Sequence, residues 1–450
     1  MGKKVIVIGG GPGGYSAALR AAGLGADVTL IEQASPGGVC LNEGCVPTKA
    51  LLHVAANYHR ARSGSVPGLR LTGAELDWEA AMRYKEGIIA HHTAGLRMMF
   101  KHAGVTLREG RAELRGAGSV NVGGETIAAD AIIVATGSVS AALGFPGAEL
   151  PGVIDSAAAL SLDSVPSSVL IVGGGVIGVE FATMLRYLGA ETTIIEAKPR
   201  LLPLMDEDIS DFCRANMADN GIDIHTSCAI VSAETGAEGL TARFSAENGE
   251  QSVTAEKIII AVGRTPNTQG MGLLESGVRI SRGAIDVDEN YMTSVPGIYA
   301  VGDCIGRTML AHAAMSQGET AAEQIMGCPS ARNNVITPAC VFADPELASV
   351  GLTEEQAKDS GADYRVGLSD MNANSKATLE GKGGFVKIIA DSRFGELLGV
   401  HIAGRGASEL IAEAALCMSL EGTAEDIAGV THAHPTVSEA MKEAAKDLLR

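Results

Sequence analysis

Two cysteines stand five residues apart in Pro36-Gly37-Gly38-Val39-Cys40-Leu41-Asn42-Glu43-Gly44-Cys45-Val46-Pro47-Thr48-Lys49. Five residues of regular helix rise about 7.5 Å and turn about 140° out of register. That exceeds the Cα separation of about 7 Å that a disulfide tolerates. A bridge between Cys40 and Cys45 therefore requires a broken helix, and Gly44 and Pro47 are the residues able to break it. Metal binding is the competing use, but no second Cys/His pair lies nearby. The pair reads as a redox-active disulfide in preference to a structural one. The other cysteines, at 213, 228, 304, 328, 340 and 417, are scattered and read as small core residues.

A second candidate lies near the C-terminus, in Thr431-His432-Ala433-His434-Pro435-Thr436-Val437-Ser438-Glu439. Pro435 excludes helix at His434 and suits a helix start just after it. Glu439, five residues on, is able to orient one ring nitrogen of His434. An imidazole held by a carboxylate is a standard general base, because the partner fixes its tautomer and raises its basicity. A capping or packing role fits the spacing as well. His432 is the same residue type two positions away, and sequence does not choose between them.

The elements that must position these groups come from an internal repeat. Lys4–Glu32 carries glycines at 9, 11 and 14 and an acid at 32; Val169–Glu196 carries glycines at 173, 175 and 178 and an acid at 196, each glycine and acid offset by 164. In each copy an aliphatic run (Val5–Ile8, Val169–Val172) leads into the glycines. A helical stretch (Tyr15–Gly23, Glu180–Gly189) and a β-rich run ending at the acid follow. The layout predicts strand, Gly-x-Gly-x-x-Gly, helix, strand and acid. The first glycine makes the tight turn, the second lets backbone approach a pyrophosphate, and the third lets helix and strand pack closely. The phosphates sit at the helix N-terminus, and the acid accepts from ribose hydroxyls and selects against a 2′-phosphate. Further aliphatic runs, Ala131–Gly137 and Lys257–Gly263, close the two copies. A third run ends Val301-Gly302-Asp303, which places a carboxylate at a strand's C-terminal edge, where such sheets bind ligands. An ordinary turn aspartate is the alternative. Two dinucleotide sites in one chain imply a relay between cofactors, flavin to nicotinamide being the common pairing.

Composition narrows the class. The chain has 450 residues, which suggests about three domains. Lys and Arg number 35 against 53 Asp and Glu, and the net charge of −18 argues against nucleic acid or an anionic membrane as partner. Eight cysteines are too sparse for a disulfide scaffold, so a reducing, cytoplasmic setting is expected. The glycine-rich run at Val169–Val179 is too short to span a membrane, and Val5–Ile8 is too short for a signal sequence.

These residues resemble the dihydrolipoyl dehydrogenases, within the FAD-dependent pyridine nucleotide-disulfide oxidoreductases, over essentially the whole chain. The markers are residues 37–49, Ala-Thr-Gly-Ser (135–138), Gly-Gly-Gly-Val-Ile-Gly-Val-Glu (173–180), Gly-Arg-Thr-Pro-Asn (263–267), Tyr-Ala-Val-Gly-Asp (299–303), Met-Leu-Ala-His (309–312), Asp-Pro-Glu-Leu-Ala-Ser-Val-Gly-Leu-Thr (344–353) and His-Ala-His-Pro-Thr-Val-Ser-Glu (432–439). The resemblance implies an α/β fold with two Rossmann-like dinucleotide-binding domains, for FAD and NAD, and a C-terminal α+β dimerisation domain. The expected division is 1–145 for FAD, 146–265 for NAD, 266–335 completing the FAD site, and 336–450 for the dimer interface.

By the same resemblance, Gly9, Gly11, Gly14 and Glu32 would hold the FAD adenosine and pyrophosphate, and Asp303 the ribityl chain. Ala112, Thr136, Gly137, Ser138 and Met309, Leu310, Ala311 and His312 would line the flavin. Lys49 would sit near the flavin's reactive nitrogen, paired with Glu180. Gly173, Gly175, Val176, Ile177, Gly178, Glu196, Ile230 and Gly263 would line the NAD site. His434, oriented by Glu439, would act across a homodimer interface on the partner's disulfide. No metal is implied.

The implied activity reoxidises dihydrolipoyl groups, borne by a carrier protein or the E2 subunit of a multienzyme complex, and passes a hydride to NAD+. Val39 and Thr48 depart from the usual threonine and serine. A glutathione- or mercuric-reductase-like enzyme and a non-catalytic flavoprotein subunit are the alternatives. Glu196 argues against the NADP use of glutathione reductases. The ending Lys446-Asp447-Leu448-Leu449-Arg450 lacks the cysteine pair of mercuric reductases, and the intact Cys40, Cys45, Lys49, His434 and Glu439 oppose a non-catalytic role.

Overall fold

A computed structural model describes residues 2–64, 67–328, 336–379, 381 and 383–450. The chain divides into two compact units: Met1–Ala50 with Glu79–Ala141 and Arg264–Val335, and Leu51–Trp78 with Ala142–Gly263 and Ile336–Arg450.

The first unit is built on a five-stranded parallel sheet in the order Ile298–Ala300, Ala131–Val134, Lys4–Ile8, Asp27–Glu32, Thr106–Glu109. Its central strands are unbroken runs of Val, Ile and Leu because both faces are covered, and Val5 to Ile8 and Ala131 to Val134 are all buried. Helix Pro12–Gly23 covers one face with Ala17, Ala18 and Ala21. Helix Ala311–Met326 packs on it at backbone distance, since a Cβ on Gly318 would stand 2.2 Å from the Gly13 carbonyl oxygen.

The second unit repeats the pattern. Its parallel sheet runs Asp223–His225, Glu191–Ile195, Ser168–Val172, Lys257–Ile260, Val153–Asp155, with helix Val176–Leu188 against it. An antiparallel sheet follows in the order Ala339–Val341, Leu347–Gly351, Leu397–Ala403, Phe385–Asp391, Tyr364–Asp370. Its buried face packs Val386, Ile388, Val400 and Ile402 against Ile411 and Ala414 of helix Ala407–Ser419 and Met441 and Ala444 of helix Glu439–Leu448. The expected α/β architecture with a C-terminal α+β region is present.

The helices begin earlier than the composition of the repeats predicts, at Pro12 and Val176, because the glycine loops themselves enter the first turn. The closing strands stop at Val134 and Ile260, three residues short of Gly137 and Gly263, whose φ of +68° and +119° leave extended geometry. Among the described residues no helix is long and apolar enough to cross a membrane, and no group of three His, Cys, Asp or Glu is placed to hold a metal ion.

Candidate active site

Strand Lys4–Ile8 turns into helix Pro12–Gly23 through Gly9-Gly10-Gly11. A Cβ on Gly9 would stand 2.3 Å from the Ala135 carbonyl oxygen, and one on Gly14 would stand 1.8 Å from that of Gly9. Only glycine closes this corner. Gly11 opens the helix with no side-chain cap, so the first-turn N–H groups stay available to an anion. At the end of the neighbouring strand Glu32 is buried; its Oε2 accepts from the Gly10 N–H at 2.7 Å and its Oε1 from the Ala34 N–H at 2.8 Å. These bonds fix the carboxylate beside the glycine loop, and its remaining lone pairs suit ribose hydroxyls. Ala112 is brought to this end of the sheet by the Gly110 N–H, which donates to the Glu32 carbonyl at 2.8 Å.

Beyond Glu32 the chain crosses back over the loop. A Cβ on Gly38 would stand 2.7 Å from the Gly11 Cα. A short helix, Gly38–Asn42, ends there and a new one, Cys45–Ser63, begins. Cys40 and Cys45 thus lie on different helices, and the required interruption is present. It falls at Glu43–Gly44, whereas Pro47 sits in the first turn of the second helix, where a missing N–H costs no intrahelical bond. Thr48 bonds the Gly44 carbonyl with both its N–H (3.1 Å) and its hydroxyl (2.6 Å). Asn42 ties the short helix by donating to the Gly38 carbonyl at 2.9 Å.

Cys40 is half-buried and Cys45 exposed. Hydrogen bonding to the Cys45 sulfur, reinforced by burial, holds the Cys40 thiol far above the ordinary cysteine range, while the Lys49 ammonium pulls it down. The sulfurs therefore share one electrostatic environment, in which one keeps its proton when the other ionises. Tyr15, which sequence reasoning missed, belongs to it: burial and then the charges of Cys40 and Cys45 raise its phenol. Its place one residue past the third glycine was the available signal.

Asp303 lies in the turn Gly302–Ile305 just past strand Ile298–Ala300, at the sheet's C-terminal edge as expected. The Ser138 hydroxyl donates to its Oδ2 at 2.5 Å, so two residues singled out separately are brought together. Arg264, also missed, donates to the Ser138 hydroxyl at 2.7 Å and to its carbonyl at 2.8 Å. Thr136 donates to the Asn267 carbonyl at 2.7 Å, and Gly137 accepts from the Asn267 N–H at 2.9 Å. Helix Ala311–Met326 opens at Leu310 without a side-chain cap, and His312 stands in its first turn.

In the second unit the glycine corner recurs. Cβ atoms on Gly173 and Gly178 would stand 2.5 Å from the Ala261 and 1.9 Å from the Gly173 carbonyl oxygens. Gly175 caps the helix with no side chain, and nothing lies within 4 Å of a Cβ built there. Val176, Ile177 and Gly178 form the first turn. Glu196 is buried and accepts from the Gly174 N–H at 2.5 Å and the Lys198 N–H at 2.7 Å. Ile230 is half-buried in the strand Ala229–Gly236, and Gly263 is exposed past the end of the closing strand. Glu180 is buried and accepts from the Phe342 N–H at 3.1 Å.

Also in the second unit, His434 Nδ1 lies 2.9 Å and 3.2 Å from the two Glu439 carboxylate oxygens. Its side chain is 74% exposed. The Thr436 N–H and then His434 hold the Glu439 carboxyl below its usual range. His432 differs: it is 5% exposed and both ring nitrogens are engaged, with Glu413 at 2.8 Å and the Val430 carbonyl at 3.3 Å. The terminal helix starts at Glu439, four residues beyond Pro435 rather than just after it. Thr436 makes a turn first, donating its hydroxyl to the Ala433 carbonyl at 2.7 Å.

Two acid-tipped glycine cradles with a cysteine pair beside the first define a dinucleotide-dependent disulfide oxidoreductase. Residues 3–318 match the pyridine nucleotide-disulphide oxidoreductase family, and residues 337–445 match that family's dimerisation domain. The chain belongs to this family and is an oxidoreductase. It is 40% identical to the dihydrolipoyl dehydrogenase of Thermus scotoductus, with 99% of this chain and 97% of that one covered. It is 38% identical to the mitochondrial dihydrolipoyl dehydrogenase of Pisum sativum, with 98% and 90% covered. Among solved structures it is similar to LpdA from Mycobacterium tuberculosis (TM-score 0.90, 26% identity, 99% of each chain) and to the HOCl-induced flavoprotein disulfide reductase RclA from Escherichia coli (TM-score 0.88, 28% identity, 98% and 99%). The family works with FAD and NAD, and the uncapped helix starts and buried acids of both units fit dinucleotides.

Proposed function

We propose that the chain acts as a dihydrolipoyl dehydrogenase, oxidising dihydrolipoyl groups of a lipoyl-bearing carrier or E2 subunit through a Cys40–Cys45 disulfide. The observation that carries this reading is the cysteine pair on a broken helix, crossing directly over the first glycine cradle. Gly9, Gly11, Gly14, Glu32, Asp303 and Ser138 would hold FAD, and Gly173, Gly175, Gly178 and Glu196 would hold NAD. Bound FAD supplies the two-electron acceptor that reoxidises the cysteine pair, and NAD+ carries the electrons away.

The steps of this chain's own residues follow from their chemistry. His434 takes the proton of one dihydrolipoyl thiol, because only a thiolate attacks a disulfide. The thiolate bonds to the Cys40 sulfur and the Cys40–Cys45 bond breaks. Cys45 departs as a thiolate, and the Lys49 ammonium favours negative charge in the pair. The second lipoyl thiol then passes its proton to the departing Cys40 sulfur as its own sulfur attacks the first; the mixed lipoyl–Cys40 bond breaks, the product disulfide closes and Cys40 is released as a thiol. Two electrons have moved from lipoyl to the cysteine pair. Glu439 fixes the His434 tautomer that accepts the proton. His434 is the better base, since its Nε2 faces solvent while both His432 nitrogens are engaged. The base comes from a second copy of the chain, so residues 336–450 act as the interface of a homodimer. The division 1–145, 146–265, 266–335 and 336–450 describes the parts, and eight cysteines in 450 residues suit a reducing cytoplasm.

Rapid mixing of the holoenzyme with dihydrolipoamide tests the reading. Long-wavelength thiolate–flavin absorbance should appear within the time of one turnover, followed by NADH when NAD+ is present. Faster turnover of NADPH with glutathione disulfide would assign the site to another disulfide substrate.

A further inference from the structure

Segment 196–206 connects the acid of the second cradle to helix Glu207–Asp219. It folds back over the glycine loop. The Leu202 N–H donates to the Gly174 carbonyl at 2.9 Å, and a Cβ on Gly174 would stand 2.4 Å from Leu201 Cδ2 and 3.0 Å from Glu196 Cβ. Arg200, next to Leu201, therefore hangs from the backbone that borders Glu196. A coenzyme with a 2′-phosphate is recognised by guanidinium groups in such a position. Arg200 points elsewhere. Glu355, on helix Glu354–Asp359, takes its guanidinium in a two-pronged pair, Nη1 to Oε1 at 2.6 Å and Nη2 to Oε2 at 2.5 Å. The segment is pinned again at Asp206, which accepts from the buried Lys387 ammonium at 2.9 Å and the Glu354 N–H at 2.9 Å. The Arg200 side chain is 24% exposed and that of Glu355 45%, so the guanidinium is the more withdrawn partner and the two-pronged geometry is what defines the pair.

We infer that Glu355 is a coenzyme-specificity residue: by clamping Arg200 it withholds from the ribose end of the second cradle the cation that a 2′-phosphate would require. The inference rests on reading that cradle as the NAD site. Glu196 rejects the 2′-phosphate by repulsion and Glu355 removes the compensating charge, so the two acids act together from different elements. Hydrogen bonding to Arg200 also holds the Glu355 carboxyl below its usual range.

Calorimetric titration of the holoenzyme with NAD+ and NADP+ tests this, since binding is read without turnover. Glu355→Gln should shift the affinity ratio toward NADP+ by about threefold, and by about tenfold when Glu196→Ser has removed the repulsion. Adding Arg200→Leu should erase both gains. An unchanged ratio in both backgrounds, or a gain that survives Arg200→Leu, overturns the role of Glu355 while leaving the NAD site standing. If Glu196→Ser leaves NAD+ affinity unaltered, the cradle itself is misassigned and the inference falls with it.

Discussion

The two glycine cradles are nearly the same object made twice, yet their surroundings differ. In both, the third glycine would collide with the first at 1.8–1.9 Å if it carried a Cβ, and the acid accepts from the loop N–H and from the N–H two residues beyond itself. The difference lies over the middle glycine. Gly11 is roofed by Gly38, its own would-be Cβ lying 3.8 Å from the Gly38 Cα, while Gly175 has nothing within 4 Å. A roofed cradle suits a cofactor that stays through many turnovers, and an open one suits a coenzyme that arrives and leaves each cycle. The roof is also the segment that carries the cysteines. Roofing the first cradle and placing a dithiol beside it are thus one structural act, while in the second copy the chain after the acid leads to Arg200 instead.

The sharpest way to break this contrast is Cys45→Ser. If chemistry belongs to the first copy alone, dihydrolipoamide oxidation should fall by at least ~10³-fold, as for loss of a covalent catalytic group. Flavin content and NADH oxidation by artificial acceptors should persist. Steady-state turnover with lipoamide and with an artificial acceptor checks both arms, and retained lipoamide activity would sink the dithiol mechanism.

The second unit is proposed to contribute a proton acceptor rather than a sulfur. His434→Gln should then slow thiol interchange by ~10²–10⁴-fold, the usual cost of losing a general base. The rate of cysteine-pair reduction in rapid mixing measures it. A loss below twofold would pass the role to another group, and the buried His432–Glu413 pair would become the next to examine.

The roof itself is tested by paired alanines. Gly38 has φ +57° and its Cβ would meet Gly11 backbone at 2.7 Å, so Gly38→Ala has no flexible neighbour to displace. It should cost about 1–3 kcal/mol and release flavin on dialysis. Gly175→Ala meets no protein atom, so the flavin should stay and the melting temperature should hold. Its methyl instead occupies the approach of the pyrophosphate, and KM for NADH should rise by about tenfold. Equal flavin loss from both variants would erase the distinction between roofed and open.

Much of this was legible from residue types because the repeat is governed by close backbone contacts. Gly9, Gly14, Gly173 and Gly178 are demanded locally, and the acids follow at fixed spacing from strand geometry. The Cys40–Cys45 interruption was legible as a necessity, since five helical residues cannot bring two sulfurs together. Its location was not, because whether Gly44 or Pro47 breaks a helix depends on where the next turn starts, and Pro47 proved harmless in a first turn. What separates His432 from His434 was hidden because it is burial, which spacing does not show. Glu413 arrives from helix Ala407–Ser419, about twenty residues earlier in the chain. Arg264 on Ser138 and Glu355 on Arg200 were hidden for the same reason, being long-range partners that no local period announces.

The smallest expected effect separates the units by pH. Each acid-tipped cradle is local, but the second unit also contains a charge cluster built around the buried Lys387, Asp206 and His401. Lys387 donates to Asp206, Asp208 and Glu354, and His401 lies 3.8 Å from Asp206 while its ring bonds Ser349 and the Leu352 carbonyl. Burial holds the His401 imidazole below the usual histidine range, despite the pull of Asp206. Burial opposes ionisation of Asp206, yet the Glu354 N–H, His401 and Lys387 carry its carboxyl below the usual range. Both shifts have the same sign: the folded unit binds fewer protons than the unfolded chain. Stability is therefore full above the ordinary histidine value and declines as pH falls, first through His401 and then, near the carboxylate range, through Asp206. Differential scanning from pH 7.5 to 5.5 should show a falling melting temperature for the domain-level transition of the second unit. His401→Gln removes the titrating imidazole, so its slope over this window should be flatter even if its melting temperature is lower throughout. An identical slope in the variant would mean that the decline comes from groups outside the cluster, and the electrostatic difference between the two units would lose its basis.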